Sequence, residues 1–453
     1  MSYLTTPRLG GHPTSRAAIE AIMQSAGSTS LSRAKRGWYD GDSQETSPGG
    51  QGNEAINLLN WRLWEHFGNA PESQLHNVSS SGSGAPFAPF GQRAASFDAV
   101  AAGSTPTARY PFSFQPAANN RYTAGGGSGT NNNNGVSSVL QANLLNVPSA
   151  LTEIRRDIEY IKRDGITYNA LVPKLSNQGD SFYVRFSSTS NGSPAFFNSN
   201  QGSAVVDISA AVAAVNEWLQ VSAAYQYGAT PPTPANLATL YPQAVARSNN
   251  TSQVEIGAFW WSSTDKRGIV VHACAEGGKR TDSLFSERPD CAPFIAAFNP
   301  DVVLFACGTN DVIAGHSAAT FKTNVLAKMA AYRAAIPSIP FILLGDADCV
   351  GFSAPTRAEF DLYPEKLQEI ADDPANLAVY VNRRRILEER YGWVYTNPNF
   401  STLFCPDGYH YNTSGARMIA YETFDALLEL GQIKRTGGPG AVTLGMGLHL
   451  GRS

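Results

Sequence analysis

The sequence predicts an α/β protein: a parallel sheet with helices on both faces, into which an all-β region of sandwich or jelly-roll type is inserted. Three observations carry this. From about residue 270 onward, short apolar runs alternate with helical stretches, the pattern of strand-helix-strand units. Between 165 and 272 the runs are short, β-branched or aromatic, and bounded by Asn, Gly and Ser turns. The chain is also long and turn-rich, with 453 residues, 41 Gly and 27 Pro but only 16% charged residues, which suits two or three loop-rich domains.

Taken in order, residues 1–35 form an N-terminal extension with one short helical stretch, 15–24. A split catalytic domain comprises 36–77 and 266–432. Its first part contains a helix over 54–67, with Ile56, Leu59, Leu63 and Phe67 at helical spacing. Residues 78–148 read as a Gly/Ser/Pro/Asn-rich spacer or as surface loops. The insert spans 149–265. It opens with a helix behind Ser149, carrying Leu151, Ile154, Ile158 and Ile161; its two heptads could seed a coiled-coil trimer contact, but without sustained heptads docking on its own domain is the favoured reading.

Strands follow at 166–168, 181–186, 204–208, 218–221 and 254–261. The aromatic side chains Tyr183, Phe186, Trp218, Tyr225, Trp260 and Trp261 serve there either as core or as sugar-stacking faces. After the insert come strands 268–272, 301–306 and 341–344, then helix 355–372, strand 377–382 and helices 383–391 and 413–430. Helix 318–335 lies between the second and third of those strands. Residues 433–453 form a tail.

A net charge of −3 argues against a nucleic-acid surface, and Arg383-Arg384-Arg385 reads as one solvated helix face. None of the five cysteines has CxxC spacing, so no zinc site is expected, and Cys307 reads as a buried thiol at a strand end. The N-terminus lacks the basic and apolar segments of a secretory signal, and no stretch of 18 apolar residues is present to span a membrane. Localisation is left open. An enzyme acting outside the cell would need another route, such as carriage on a virus particle.

Four short fragments carry chemistry. Gly41-Asp42-Ser43 offers a hydroxyl on a tight turn. Gly277-Gly278 follows a strand and lets a backbone N–H approach a substrate oxygen. Gly308-Thr309-Asn310-Asp311 closes an apolar run and presents a side-chain amide. Asp407-Gly408-Tyr409-His410 places a carboxylate three residues before a histidine. Together they supply a nucleophile (Ser43), a base (His410), an orienting acid (Asp407) and three oxyanion donors (Ser43 N–H, Gly278 N–H and the Asn310 amide). Gly41, Asp42, Gly277, Gly308 and Asp311 support them. Each fragment alone is an ordinary turn.

In this order the blocks GDS (41–43), Gly278, GTND (308–311) and DGYH (407–410) resemble the SGNH, or GDSL-type, hydrolase superfamily. The resemblance covers 36–70 and roughly 268–431, and the long insert is similar to that of some phage-encoded members and polysaccharide esterases. It implies a flavodoxin-like sheet, no metal or other cofactor, and ester hydrolysis through Ser43, His410 and Asp407. The expected substrate is an O-acyl group, above all O-acetyl, on a polysaccharide, or a small ester. Two other readings stay open: a virion-associated or surface glycan-binding protein with weak or lost catalysis, and a lipase or thioesterase. Homo-oligomerisation or virion assembly is compatible with the loop-rich composition.

Overall fold

A computed structural model of the chain describes residues 5–42, 44, 54–68, 71–72, a set of strands between 76 and 263, and residues 264–275, 278–283 and 291–434. Ser43, Gly277 and the helix expected over 149–163 lie outside the described residues. The main sheet has six strands: β1 (Leu9–Gly10), β2 (Lys35–Gly41), β3 (Ile269–Ala275), β4 (Val302–Ala306), β5 (Phe341–Leu344) and β6 (Ala378–Val381), in the spatial order β1-β6-β5-β4-β2-β3. All neighbours run parallel except the two-residue edge strand β1. The first long strand, β2, is flanked by β3 on one side and β4 on the other, so strand order reverses there. In open sheets of this kind the crevice beyond the C-terminal ends at the reversal is the binding position.

Register makes that crevice concrete. Gly41 pairs with both Ala275 of β3 and Ala306 of β4, so three strands end at one level and their exit loops emerge side by side. The helices fall into two packed groups. One joins α1 (Pro13–Ala26), α2 (Glu54–Phe67) and the last long helix, Thr413–Leu430. The other joins α3 (Cys291–Phe298), α4 (Ala318–Ala335) and α5 (Tyr363–Asp372). Ile56, Leu59 and Leu63 of α2 and Ile19 and Met23 of α1 enter the main core, so residues 13–26 are integral to the layered fold.

β2 is buried from Arg36 onward although it is not apolar, because its polar groups have buried partners. Trp38 Nε1 donates to Tyr332 Oη (3.0 Å), Tyr332 Oη donates to Asp40 (2.8 Å), and Lys328 Nζ lies 3.2 Å from the same carboxylate. Burial alone would lower the Lys328 pKa, but the Asp40 charge overrides that effect and it is pushed up to about 12. Breaking such a pair typically costs about 3–5 kcal/mol.

Several expectations are corrected by long-range partners. Arg383 and Arg384 are buried rather than solvated. Arg383 donates to Gly345 O and Tyr39 Oη, both at 3.0 Å, and Arg384 to Asp361 at 2.6 Å. Helix 355–372 is two helices, Ala354–Phe360 and α5. Pro364 in the first turn of α5 has no N–H to continue the earlier ladder. The run 254–261 is two strands in different sheets, Val254–Ile256 and Ala258–Ser263.

The remaining strands are antiparallel. Trp218–Tyr225, Ile166–Pro173, Ala258–Ser263 and His76–Asn77 form one sheet, and Val136–Gln141, Tyr241–Arg247, Ser181–Ser187 and Ala204–Asp207 another. Val254–Ile256, Arg121–Ala124 and Ser104–Thr107 form a third. Three of these strands come from 78–148. The first sheet is fused to the main core: Trp260 is fully buried edge-on against Phe298 (5.4 Å), and Leu171 belongs to the same core. Trp260 is therefore no sugar-stacking face. Beneath it Arg36 forms a buried two-pronged ion pair with Glu72 (2.9 and 3.0 Å), its guanidinium 5.0 Å from the Trp260 ring. The side chains of Tyr183, Phe186, Trp218, Tyr225 and Trp261 lie outside the described residues.

Candidate active site

The segments that leave β2, β3, β4 and β5 are hydrogen-bonded to one another at the C-terminal end of the sheet, and those after β2 and β5 bind the 405–411 loop. After β2, Gly41 hands the chain to Asp42, which is completely buried. Asp42 Oδ1 accepts from the backbone N–H of Gln44 (2.8 Å), spanning position 43, and Asp42 Oδ2 accepts from the Asn310 amide (3.2 Å). The GDS and GTND blocks are thus tied directly. One Asn310 N–H fixes the plane of the amide, and a primary amide carries a second.

Asn310 sits in the short helix Thr309–Ile313 that follows β4, just after Gly308. Its start is anchored by Asp346 beyond β5, which accepts from Thr309 N (2.8 Å) and Thr309 Oγ1 (3.0 Å). Beyond β3, Gly278 is exposed with φ +77°, a conformation natural to glycine, and the space where a Cβ would stand is open. That leaves its backbone accessible to a ligand. The loop 278–283 is fastened by Asp311, whose buried carboxylate accepts from Thr281 N (3.1 Å), from Thr281 Oγ1 and from His316 Nδ1 (3.0 Å). Burial raises the Asp311 carboxyl above its usual range, more than these partners lower it.

Asp407 and His410 meet at short range. His410 Nδ1 lies 2.6 Å from Asp407 Oδ2, while Asp407 Oδ1 accepts from the backbone N–H groups of His410 (2.7 Å) and Tyr409 (2.9 Å). Partial burial pushes the carboxyl up, but the two N–H groups and the imidazole together hold it below the ordinary carboxylate range. It stays ionised at neutral pH and fixes a tautomer with Nδ1–H toward Asp407 and Nε2 as the basic nitrogen.

The residues that carry this loop belong to none of the four sequence blocks except Gly408 and Tyr409. Tyr409 Oη donates to Gly351 O (2.5 Å), and Val350 and Gly351 N–H donate to Gly408 O (3.0 and 3.1 Å). Gly351 leaves no room for a side chain under the Tyr409 ring. Gln44, buried beside position 43, binds both neighbours of His410: Nε2 donates to Tyr409 O (3.2 Å) and Oε1 accepts from Tyr411 Oη (2.8 Å). The signal available in the sequence was the pair of tyrosines bracketing His410.

Cys307 and Cys349 are buried, and desolvation raises both thiols well above their ordinary pKa, so neither is a thiolate at neutral pH. Among the described residues, no group of three His, Cys, Asp or Glu side chains is placed to hold a metal ion, and no helix is long and apolar enough to cross a membrane.

Comparison with known proteins agrees with the architecture. Residues 222–418 match the model of the GDSL-like Lipase/Acylhydrolase family. A solved structure described as a peptidoglycan O-acetylesterase in action is similar over 94% of this chain and 99% of its own, with a TM-score of 0.57 and 15% identity. A carbohydrate esterase family 3 structure from Talaromyces cellulolyticus matches 37% of this chain and 73% of its own (TM-score 0.27, 21% identity). A member of the lipolytic G-D-S-L family from Veillonella parvula matches 35% and 79% (TM-score 0.28, 14% identity). Among curated proteins, none matches the chain in sequence. The parallel sheet flanked by helices is the SGNH α/β fold.

Proposed function

We propose that this chain, which carries a GDSL-like lipase/acylhydrolase domain on an SGNH α/β fold, is a serine esterase that removes O-acyl groups, above all O-acetyl, from a polysaccharide. One observation supports it most. The Asp407–His410 pair, 2.6 Å apart, sits on a loop hydrogen-bonded to Gln44, the residue that follows Ser43. In this reading Ser43 Oγ attacks the acyl carbon as His410 Nε2 takes its proton, with Asp407 stabilising the imidazolium. The tetrahedral oxyanion is held by the N–H groups of Ser43 and Gly278 and by the second N–H of Asn310, each worth about 3 kcal/mol in the transition state. Collapse breaks the bond to the sugar oxygen, which leaves with the proton from His410. Water then attacks the acyl-serine by the same route, releasing the carboxylic acid and free Ser43.

The O-acetyl assignment draws support from the similarity in fold, over nearly the whole chain, to a protein described as a peptidoglycan O-acetylesterase. The test is hydrolysis of p-nitrophenyl acetate by wild type and Ser43→Ala, with circular dichroism on both and acetate release from acetylated polysaccharides to follow. Loss of activity by about 10³ or more in the alanine variant is expected. Equal turnover in both proteins removes Ser43 as nucleophile and turns attention to glycan binding without catalysis.

A further inference from the structure

We infer that Gln44 is a positioning residue that holds the His410 loop at the nucleophile turn; this rests on the esterase reading above. Three facts about one side chain carry it. Gln44 is 1% exposed, so its amide must find all its partners inside the protein. Its backbone is fixed at the nucleophile turn, because Gln44 N donates to Asp42 Oδ1. Its side chain reaches the far end of the sequence and binds both flanks of His410: the carbonyl of Tyr409 and the hydroxyl of Tyr411.

The other attachments of the loop do a different task. Tyr409 Oη and Gly408 O fasten it to residues 350–351 beyond β5, which sets its height above the sheet. Among the hydrogen bonds described above, those of Gln44 tie the flanks of His410 to Asp42, the residue before Ser43. Tyr411 is itself immobilised, its buried ring edge-on to Trp393 (5.6 Å), so the Gln44 bond has a rigid far end. Cys349 Sγ, a neutral buried thiol, accepts the second Nε2 hydrogen at 2.9 Å and completes the amide's partners.

Only a group that donates and accepts at once satisfies these neighbours. A primary amide does so. Methionine has the shape and neither function, and a carboxylate would turn an acceptor toward the Tyr409 carbonyl. A protonated carboxylic acid restores one donor and one acceptor.

The experiment compares wild type, Gln44→Met, Gln44→Glu, Tyr411→Phe and Ser43→Ala in p-nitrophenyl acetate turnover and in the rate of fluorophosphonate labelling. Assays run well below each protein's unfolding midpoint. Gln44→Met should lower kcat by about 10- to 100-fold, as small misplacements of catalytic groups do, with KM nearly unchanged and labelling slowed in parallel. Relative to wild type, kcat of Gln44→Glu should fall as pH rises and its carboxyl ionises, while the Gln44→Met ratio stays flat. A loss of stability alone produces neither signature. Adding Tyr411→Phe to Gln44→Met should cost nothing further; should Gln44→Met fail to fold, Tyr411→Phe alone carries the test with the same fall in kcat at constant KM. A folded Gln44→Met with wild-type kcat and labelling, beside a dead Ser43→Ala, overturns the positioning role and leaves the esterase reading standing. An active Ser43→Ala removes both.

Discussion

Two aspartate–histidine pairs lie beyond the C-terminal end of the sheet, and solvent treats them in opposite ways. Asp311 and His316 follow β4: the carboxylate is completely buried, and burial drives its pKa up despite three hydrogen-bond donors. Asp407 and His410 lie on the 405–411 loop: the carboxylate is half exposed, and backbone N–H groups with the imidazole hold its pKa down. His316 has a carboxylate at each ring nitrogen, Asp311 at 3.0 Å and Asp282 at 3.7 Å. The difference teaches that contact between Asp and His does not by itself make a base. The anchor and the pair proposed as catalytic differ in where the carboxylate's remaining bonds go: into the 278–283 loop for Asp311, into the histidine's own backbone for Asp407.

Removing each histidine gives the widest separation. His410→Ala should lose about 10³ or more in kcat, whereas His316→Ala should lose less than about tenfold; the reverse order in a steady-state assay would exchange the two roles. Replacing the acids comes next. Asp407→Asn should cost about 10²–10⁴ in kcat with folding intact, because the tautomer is no longer fixed. Asp311→Asn should appear chiefly in urea unfolding, at about 1–3 kcal/mol, from donors left unsatisfied.

The smallest effect is in acid stability, and its sign differs between the pairs. Asp407 has a lowered pKa, so its contribution is present above the ordinary carboxylate value of 3.8 and fades as pH falls through its folded value. Asp311 has a raised pKa, so its contribution is full below 3.8 and is lost as pH rises through its folded value. Urea unfolding at stepped pH should therefore show a shallower acid loss for Asp407→Asn and a steeper one for Asp311→Asn. Parallel shifts would end the comparison.

The same contrast explains what was legible in the sequence. Asp407 and His410 are three residues apart and Gly308-Thr309-Asn310 is contiguous, so local spacing was enough to mark them. The strands β4 and β5 and helix α4 were legible because apolar runs and 3.6-residue periodicity are also local signals. What Arg383 and Arg384 touch was not, since their partners Tyr39, Gly345 and Asp361 are chosen by topology. Gln44 was invisible for the same reason, its partners lying at the other end of the chain. The break in the 355–372 helix was readable, since Pro364 stood in plain view. Trp260 was ambiguous until the Arg36–Glu72 pair and Phe298 gave it a floor.

The position of β2 between β3 and β4 has a consequence for biogenesis. A ribosome releases Lys35–Gly41 long before either neighbour exists, and no sheet partner for it appears until Ile269–Ala275 emerges. Pairing across such a sequence separation is slow and leaves strand edges bare in the meantime. The nascent chain must therefore carry the tryptophan and tyrosine of that strand without a sheet partner until residues 269–275 are made. Maturation of this protein should respond to translation speed and chaperone supply more sharply than its finished stability would suggest.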